Sequence, residues 1–289
     1  MFEKVLVPTD FSKHAHKVIE CIGEIPGVKE VVLLNVVARD PLARVWDPVA
    51  EVKDVEKKLM EEKTAISLPG IMVKVRAVSV LEGEVASAIQ RVAEEEKVSM
   101  IAMGARGKSL IQSVLLGSVS RNVLRYGDNH LLIMRYKAIE GGDMGKFCTR
   151  VFDKVLFPTD FSQPAEAALS FLKSLEGVDQ VVLLNVVSKG ETQEEIDANA
   201  SAAQEKMDAA LNDLVQAGKN VKALVVIGNP VDEIKAVAES EDVSLIAMSS
   251  QGAVAIKKGR IGSTAYDVAN SANRPVLVLR RSKIALYYV

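Results

Sequence analysis

A glycine-rich stretch, residues 103–120, carries the residue types in this sequence that are best suited to hold an anion. Gly104 and Gly107 follow a short apolar run, and Gly117 and Ser118 open a helix-like segment. Glycine lets a backbone approach a ligand closely because it has no Cβ. A helix start offers unpaired N–H groups and the positive end of a dipole, and Ser118 could cap that helix. The stretch predicts a phosphate-binding loop; the alternative is that it holds only turn glycines and a helix cap.

Spacing separates this stretch from two other phosphate-binding motifs. For a Walker A loop, the Gly-Lys-Ser at residues 107–109 would need a glycine at position 102, which is alanine. The dinucleotide fingerprint G-x-G-x-x-G also fails here, and it belongs after the first strand of a fold. The pattern that fits is G-x2-G-x9-G-S, filled by Gly104, Gly107, Gly117 and Ser118.

The composition indicates a globular protein with ample core. Of 289 residues, 48% are hydrophobic and 26% are charged, and no apolar run approaches the ~18 residues of a membrane span. Charges within the first ten positions argue against a signal peptide. The two cysteines, Cys21 and Cys148, lack metal-ligand spacing, which predicts reduced thiols and a cytoplasmic location. A net charge of -2 provides no attraction for nucleic acid, so we expect neither nucleic-acid nor membrane partners.

The sequence repeats itself at long range. Residues 2–12 return almost unchanged at 152–162, and residues 31–37 return identical at 181–187. The Gly-Ser pair of the glycine-rich stretch returns at 262–263. The chain is therefore predicted to contain two copies of one domain.

Each copy alternates short apolar runs with helix-like segments. Near-continuous Val, Ile and Leu are typical of strands buried on both faces of a parallel sheet, and the alternation predicts right-handed βαβ units in an α/β open sandwich. The domains are predicted at residues 1–138 and 151–289, with a glycine-containing linker at 139–150. In the first copy, strands are predicted at 4–8, 31–36, 72–77, 99–103 and 131–134, and helices at 14–23, 47–66, 84–97 and 118–126.

Polar residues follow the strands at the edge where α/β folds bind ligands, beyond the carboxyl ends of the strands. The Asp10 carboxylate could accept a hydrogen bond from a ribose hydroxyl or a base amino group. Its alternative role is to cap the helix that begins near Ser12 or His14. Pro-Thr-Asp-Phe-Ser occurs unchanged in both copies, which favours the ligand role. Val36 is either a core residue or an adenine contact.

The Pro-Thr-Asp-Phe-Ser opening, the Leu-Leu-Asn-Val end of strand two and the G-x2-G-x9-G-S pattern resemble the universal stress protein family, across both halves of the chain. The resemblance implies two tandem Rossmann-like open sandwiches, each with a five-stranded parallel sheet of order 3-2-1-4-5. It also implies pairing of domains through their last strands, within the chain or in a homodimer. One branch of the family binds AMP or ATP, the latter accompanied by Mg²⁺ or Mn²⁺. The implied binding residues of the first copy are Pro8, Thr9, Asp10, Val36, Met103, Gly104, Gly107, Gly117, Ser118, Val119 and Ser120.

The second copy keeps most of these positions. Its implied binding residues are Pro158, Thr159, Asp160, Val186, Met248, Ser249, Gly252, Gly262, Ser263 and Thr264. Ser249 stands where the first copy has Gly104. If that glycine has a positive φ or touches the ligand, we expect serine to cost about 1 kcal/mol or to block the approach. Lys257, Lys258 and Arg260 follow in the second copy and could attract phosphates.

The sequence favours binding over catalysis. No nucleophile beside a base is evident, nor a carboxylate cluster for Mg²⁺. His14 and His16 lie two apart on a helix and face different directions, which favours solvated residues over a metal pair. We expect a non-catalytic adenine-nucleotide sensor or regulator in a stress response, read by an unidentified protein partner. The alternatives are a slow ATPase or phosphotransferase using the same loop, and a structural scaffold with a vestigial second site.

Overall fold

The chain folds into two compact units, Met1–Met134 and Arg135–Val289. The computed structural model of the protein describes residues 2–39, 48–66, 68–106, 115–138, 144–145, 150–188, 192–253 and 261–280. Gly107, Lys257, Lys258 and Arg260 lie outside the described residues, as does most of the predicted linker. Within these ranges, none of the helices has the length and apolar character needed to cross a membrane.

The first unit is an α/β sandwich built on five parallel strands. Its elements are β1 (Lys4–Pro8), α1 (Lys13–Cys21), a 3-10 turn (Ile22–Glu24), β2 (Glu30–Arg39), α2 (Pro48–Ala65), β3 (Met72–Leu81), α3 (Val85–Glu95), β4 (Met100–Gly104), α4 (Ser118–Tyr126) and β5 (His130–Met134). The strands lie in the order β3-β2-β1-β4-β5, and every pairing is parallel. All the predicted strands and helices are present, and β2 and β3 extend further at their carboxyl ends than predicted.

The second unit repeats this arrangement after a short antiparallel pair, β6 (Lys137–Ala138) and β7 (Met144–Gly145), which the sequence did not predict. Its other elements are β8 (Lys154–Pro158), α5 (Gln163–Ser174), β9 (Gln180–Val187), α6 (Gln193–Gln216), β10 (Asn220–Ile227), α7 (Pro230–Ser240), β11 (Leu245–Ser249), α8 (Ser263–Ser271) and β12 (Val276–Leu279). The strand order is β10-β9-β8-β11-β12, again parallel throughout. The predicted class, two tandem α/β sandwiches, is confirmed.

Burial differs from strand to strand within each unit. Val5, Leu6 and Val7 of β1 are fully buried, and β5 is buried along its whole length. In β3, by contrast, every residue keeps some exposure, and β10 shows the same pattern. The prediction that all strands are buried on both faces is therefore wrong for β3 and β10. An edge strand has a neighbour on one side only, and charges such as Lys74 and Arg76 keep it soluble.

A buried carboxylate near the amino end of β1 joins the first sheet to its edge strand. Glu96, directly after α3, has a side chain only 6% exposed and pairs with Lys4 (3.1 Å), Lys74 (2.7 Å) and Arg76 (2.6 Å). The hydrogen bond from Lys74, assisted by those from Lys4 and Arg76, lowers the pKa of Glu96 to about 2. Glu241 has the same place in the second unit, with two lysine partners instead of three cations.

Candidate functional site

A cavity opens in the first unit where the parallel strands end. It has a volume of about 310 Å³ and lies between the loop after β1, the ends of β2 and β4, and the start of α4. Apart from Gly107, which lies outside the described residues, all the predicted binding residues of the first copy line it: Pro8, Thr9, Asp10, Val36, Met103, Gly104, Gly117, Ser118, Val119 and Ser120. The structure thus brings together residues from four separate segments of the sequence.

The second unit has an equivalent cavity of about 380 Å³. All the predicted residues of the second copy line it: Pro158, Thr159, Asp160, Val186, Met248, Ser249, Gly252, Gly262, Ser263 and Thr264. Ser249 is among them, so the serine does not exclude this segment from the cavity wall. The binding role of both residue sets stays a prediction.

The loop after β1 is a tight turn held by its own side chains. Thr9 Oγ1 accepts a hydrogen bond from the Phe11 N–H (3.1 Å), and Asp10 Oδ1 accepts one from the Ser12 N–H (3.0 Å). Phe11 has a φ of 60°, which is rare for a residue other than glycine. Ser12 is the N-cap of α1, because its Oγ accepts from the Ala15 N–H (3.2 Å). The alternative role of Asp10 as the helix cap is therefore wrong; its carboxylate holds the turn and lines the cavity.

Asn35 ties this loop to the neighbouring strand. Its Nδ2 donates to the Thr9 carbonyl (2.8 Å), and the Thr9 N–H donates to the Leu34 carbonyl (2.8 Å). In the second unit, Asn185 makes the same bond to the Thr159 carbonyl (2.8 Å). The asparagine of the Leu-Leu-Asn-Val motif is therefore a positioning residue for the loop that carries the aspartate.

The first turn of α4 presents unpaired N–H groups at the cavity. Gly117 is the N-cap, with φ -62° and ψ 160°, and no side chain caps the helix. The prediction that Ser118 caps it is therefore wrong, since the Ser118 side chain is exposed and lies one position inside the helix. Helical bonding starts with the Arg121 N–H, which donates to the Gly117 carbonyl (2.9 Å). The N–H groups of residues 118–120 consequently lack helical partners, and α8 begins in the same way at Gly262.

The first glycine of the motif does not need a left-handed backbone. Gly104 has no positive φ, and a Cβ on it would lie 3.0 Å from the Arg106 carbonyl oxygen, a tight contact. Ser249 occupies the same place at the end of β11, also without a positive φ, and its Oγ accepts a hydrogen bond from the Gln251 N–H (3.3 Å). The expected strain from a positive φ at Ser249 is therefore absent. In the first unit, Ser120 Oγ donates to the Gly104 carbonyl (3.0 Å) and holds α4 against β4.

In the second unit, Asp160 connects the loops that follow β8 and β11. Its Oδ1 accepts a hydrogen bond from the Ser162 N–H (3.1 Å), and its Oδ2 accepts one from the Ala253 N–H (2.8 Å). A Cβ on Gly252 would lie 2.5 Å from that same Oδ2. A side chain at the second glycine of the motif would therefore have to push the Asp160 carboxylate aside.

Arg106 is a cavity residue that the sequence analysis missed. Its half-buried side chain lines the first cavity and forms neither an ion pair nor a hydrogen bond within the described ranges. Burial, and next the charge of Arg106, lower the pKa of the His14 imidazole, while Asp10 opposes the shift. His14 is thus close to the cavity rim rather than simply solvated. The position of Arg106 between the motif glycines Gly104 and Gly107 was the sequence signal that could have identified it.

His16 faces a different set of neighbours, as the spacing predicted. Its Nε2 lies 3.5 Å from the Glu20 carboxylate and its Nδ1 lies 3.6 Å from the Glu62 carboxylate. Burial raises the pKa of Glu62, and the hydrogen bonds with His16 and Thr9 oppose that effect. In the part of the chain that the structure describes, no group of three or more His, Cys, Asp or Glu is placed to hold a metal ion.

Fold and site together define a two-domain α/β protein with a glycine-lined cavity at the carboxyl ends of each parallel sheet. The model of the universal stress protein family matches residues 1–135 and 152–280. The chain therefore belongs to the universal stress protein family.

Known relatives match one half or the whole of the chain. A universal stress protein of Methanocaldococcus jannaschii is 31% identical over 156 residues, covering 45% of this chain and 96% of that protein. One from Methanothermobacter thermautotrophicus is 31% identical over 144 residues, covering 47% of this chain and 97% of that protein. The crystal structure of a universal stress protein from Archaeoglobus fulgidus is 26% identical with a TM-score of 0.64, and the match covers 96% of each chain.

Proposed function

We propose that this universal stress protein binds AMP or ATP in each half and acts in the cytoplasm as a non-catalytic sensor or regulator. One observation carries the proposal: in both units, an uncapped helix start opens into a cavity lined by the predicted residues. A partner protein that reads the occupancy of these cavities belongs to the same proposal. The cytoplasmic location rests on the low cysteine content of the sequence.

The contrast among the helix starts supports an anionic ligand. Helices α1, α5, α6 and α7 are each capped by a side chain that accepts from the first turn, namely Ser12, Ser162, Thr192 and Asn229. Helix α3 also lacks a side-chain cap, at Glu84, whereas α4 and α8 lack one at a glycine of the motif, Gly117 and Gly262. An anion at these helix starts would accept the N–H bonds that a capping side chain otherwise accepts.

Steric considerations point the same way. A Cβ on Gly117 or Gly262 would meet no atom closer than 3.7 Å, and both residues have backbone angles open to any amino acid. The folded chain alone therefore does not require glycine at either position. A ligand that approaches the backbone closely would require it.

The remaining wall suits a nucleoside. Val36, Ile89 and Met103 give the first cavity an apolar side, while Asp10 adds a carboxylate acceptor. Cavities of roughly 300–1,000 Å³ with apolar walls and a few polar groups are usual for small ligands. An adenine ring would pack on the apolar side while Asp10 accepts from a hydroxyl or amino group.

Binding without turnover fits the roles of the two aspartates. Asp10 and Asp160 both accept backbone hydrogen bonds that hold their loops, so neither is positioned as an unengaged base. If Mg²⁺ or Mn²⁺ accompanies ATP here, phosphate oxygens would supply most of its ligands. Its chemistry would be to neutralise phosphate charge.

Calorimetric titration with AMP and with ATP tests the proposal. We expect saturable binding at micromolar to low millimolar nucleotide with two sites per chain, one site in each of the variants Gly117→Val and Gly262→Val, and none in the double variant. Incubation with ATP should release less ADP than one turnover per site. Sustained ADP release would favour the slow ATPase, and absence of saturation in the wild-type protein would favour the scaffold.

A further inference from the structure

Among the residues that the structure describes, the two cavities share most of their lining and differ in charge at one position. Arg106 lines the first cavity, and Gln251 lines the second at the equivalent place, two residues after the end of the fourth strand of each sheet. We propose that this difference gives the two sites different ligand preferences. The first site selects nucleoside di- and triphosphates over monophosphates, and the second discriminates little between them. The inference rests on the proposed nucleotide binding and concerns the phosphate count that each site prefers.

The rest of the two sites provides an internal control. The proline, threonine and aspartate after the first strand, the valine of the second strand, the methionine of the fourth strand and the Gly-Ser helix start all occur in both cavities. These residues would offer base, ribose and the first phosphate the same types of side chain in either half. A difference in preference between the halves must then come from the positions that differ.

Arg106 is placed to reach a phosphate at the start of α4. Its Cα lies 3.9 Å from where a Cβ on Gly117 would be, so its side chain leaves the backbone next to the uncapped helix start. The side chain is half-buried and has no carboxylate partner within the described ranges. A guanidinium donates paired hydrogen bonds to phosphate oxygens, and it gains most when it is partly desolvated and otherwise unpaired.

The charge of Arg106 already acts on its surroundings in the first site. It contributes, after burial, to the lowered pKa of His14 on α1. The second unit has proline at the position of His14, residue 164, and a neutral side chain at Gln251. The neutral and hydroxyl groups of that cavity, including Ser249 and Thr264, can donate hydrogen bonds to a phosphate but add no positive charge.

Each site can be measured alone in chains where the other is blocked. Gly262→Val leaves the first site and Gly117→Val leaves the second, and a Cβ at either position would meet no atom closer than 3.7 Å. In the Gly262→Val chain we expect ATP to bind at least tenfold more tightly than AMP, and Arg106→Gln to remove most of that ratio while changing AMP affinity little. In the Gly117→Val chain we expect AMP and ATP affinities within about threefold, and Gln251→Arg to increase ATP affinity roughly tenfold.

Circular dichroism will show whether Arg106→Gln disturbs folding. If it does, the expected gain of ATP affinity in Gln251→Arg still tests the inference. Equal ATP-to-AMP ratios at both sites, a preference for ATP confined to the second site, or ratios unmoved by either exchange would overturn the inference. The second of these results would assign the preference to Lys257, Lys258 and Arg260 instead. Each of these three results would still show nucleotide binding, whereas failure of the proposed function would appear as no binding of either nucleotide in any chain.

Discussion

Replacing Glu96 by Gln tests the charge cluster that joins β1, β3 and α3 in the first unit. The Glu96 carboxyl has a pKa of about 2 in the folded protein against an ordinary value of 4.5, and its side chain is 6% exposed. A shift of this size corresponds to about 3 kcal/mol of folding free energy at neutral pH. Because the folded pKa is the lower one, this stabilisation is fully present above pH 4.5 and disappears as the pH falls towards 2.

Urea unfolding of the wild-type and Glu96→Gln proteins at several pH values measures this contribution. Near neutral pH we expect the variant to lose about 3 kcal/mol, and we expect the difference between the two proteins to shrink steadily below pH ~4.5. Hydrogen-exchange mass spectrometry locates the loss, which we expect to be largest in peptides of β1, β3 and α3, whose residues Lys4, Lys74, Arg76 and Glu96 form the cluster.

Glu95→Gln is the matched control. Glu95 is adjacent, bonds the same Arg76 at 3.0 Å, and is 47% exposed, so its loss should stay below about 1 kcal/mol. The loss of folding free energy in Glu241→Gln should lie between those of Glu96→Gln and Glu95→Gln, because Glu241 has two lysine partners and no arginine. Equal losses for Glu96→Gln and Glu95→Gln, or a Glu96→Gln effect that does not change with pH, would show that the buried cluster does not stabilise the first unit.

Two further predictions concern the cavities. Gly252→Ala should weaken nucleotide binding at the second site, because the new Cβ would displace the Asp160 carboxylate, whereas Gly262→Ala should leave the unfolding temperature unchanged. Nucleotide titration and scanning fluorimetry of both variants measure these effects. An unchanged nucleotide affinity in Gly252→Ala, or a lowered unfolding temperature in Gly262→Ala, would contradict these expectations. Arg106→Gln should raise the pKa of His14 in the ligand-free protein, because it removes one cause of the lowering and leaves burial; NMR titration of the His14 ring measures it, and an unchanged pKa would show that the guanidinium acts elsewhere.

The fold was largely predictable because its determinants are periodic. Buried strands of Val, Ile and Leu alternating with helices define an α/β sandwich, and the repeat of residues 2–12 at 152–162 shows that the sandwich occurs twice. Edge position was not predictable in this way. β3 is apolar at seven of its ten residues, yet every residue in it keeps some exposure, and its place at the end of the sheet is a property of the assembled sheet.

The residues that line the cavities were predictable from the sequence, but the hydrogen bonds and contacts of their individual atoms were not. The rule that ligands bind beyond the carboxyl ends of parallel strands brings Asp10 and the motif glycines together. The cap of α1 turned out to be Ser12 rather than Asp10, because a left-handed Phe11 turns the chain between them. The steric need for Gly252 depends on the position of Asp160, 92 residues away in sequence, and no local pattern contains that information.

Native mass spectrometry of the intact chain with AMP and ATP tests nucleotide binding in each half, because it counts bound nucleotides molecule by molecule. We expect chains with up to two adenine nucleotides, at most one in Gly117→Val or Gly262→Val, and none in the double variant. Failure to detect any nucleotide-bound chain at low millimolar concentration, or two nucleotides bound to the double variant, would contradict it.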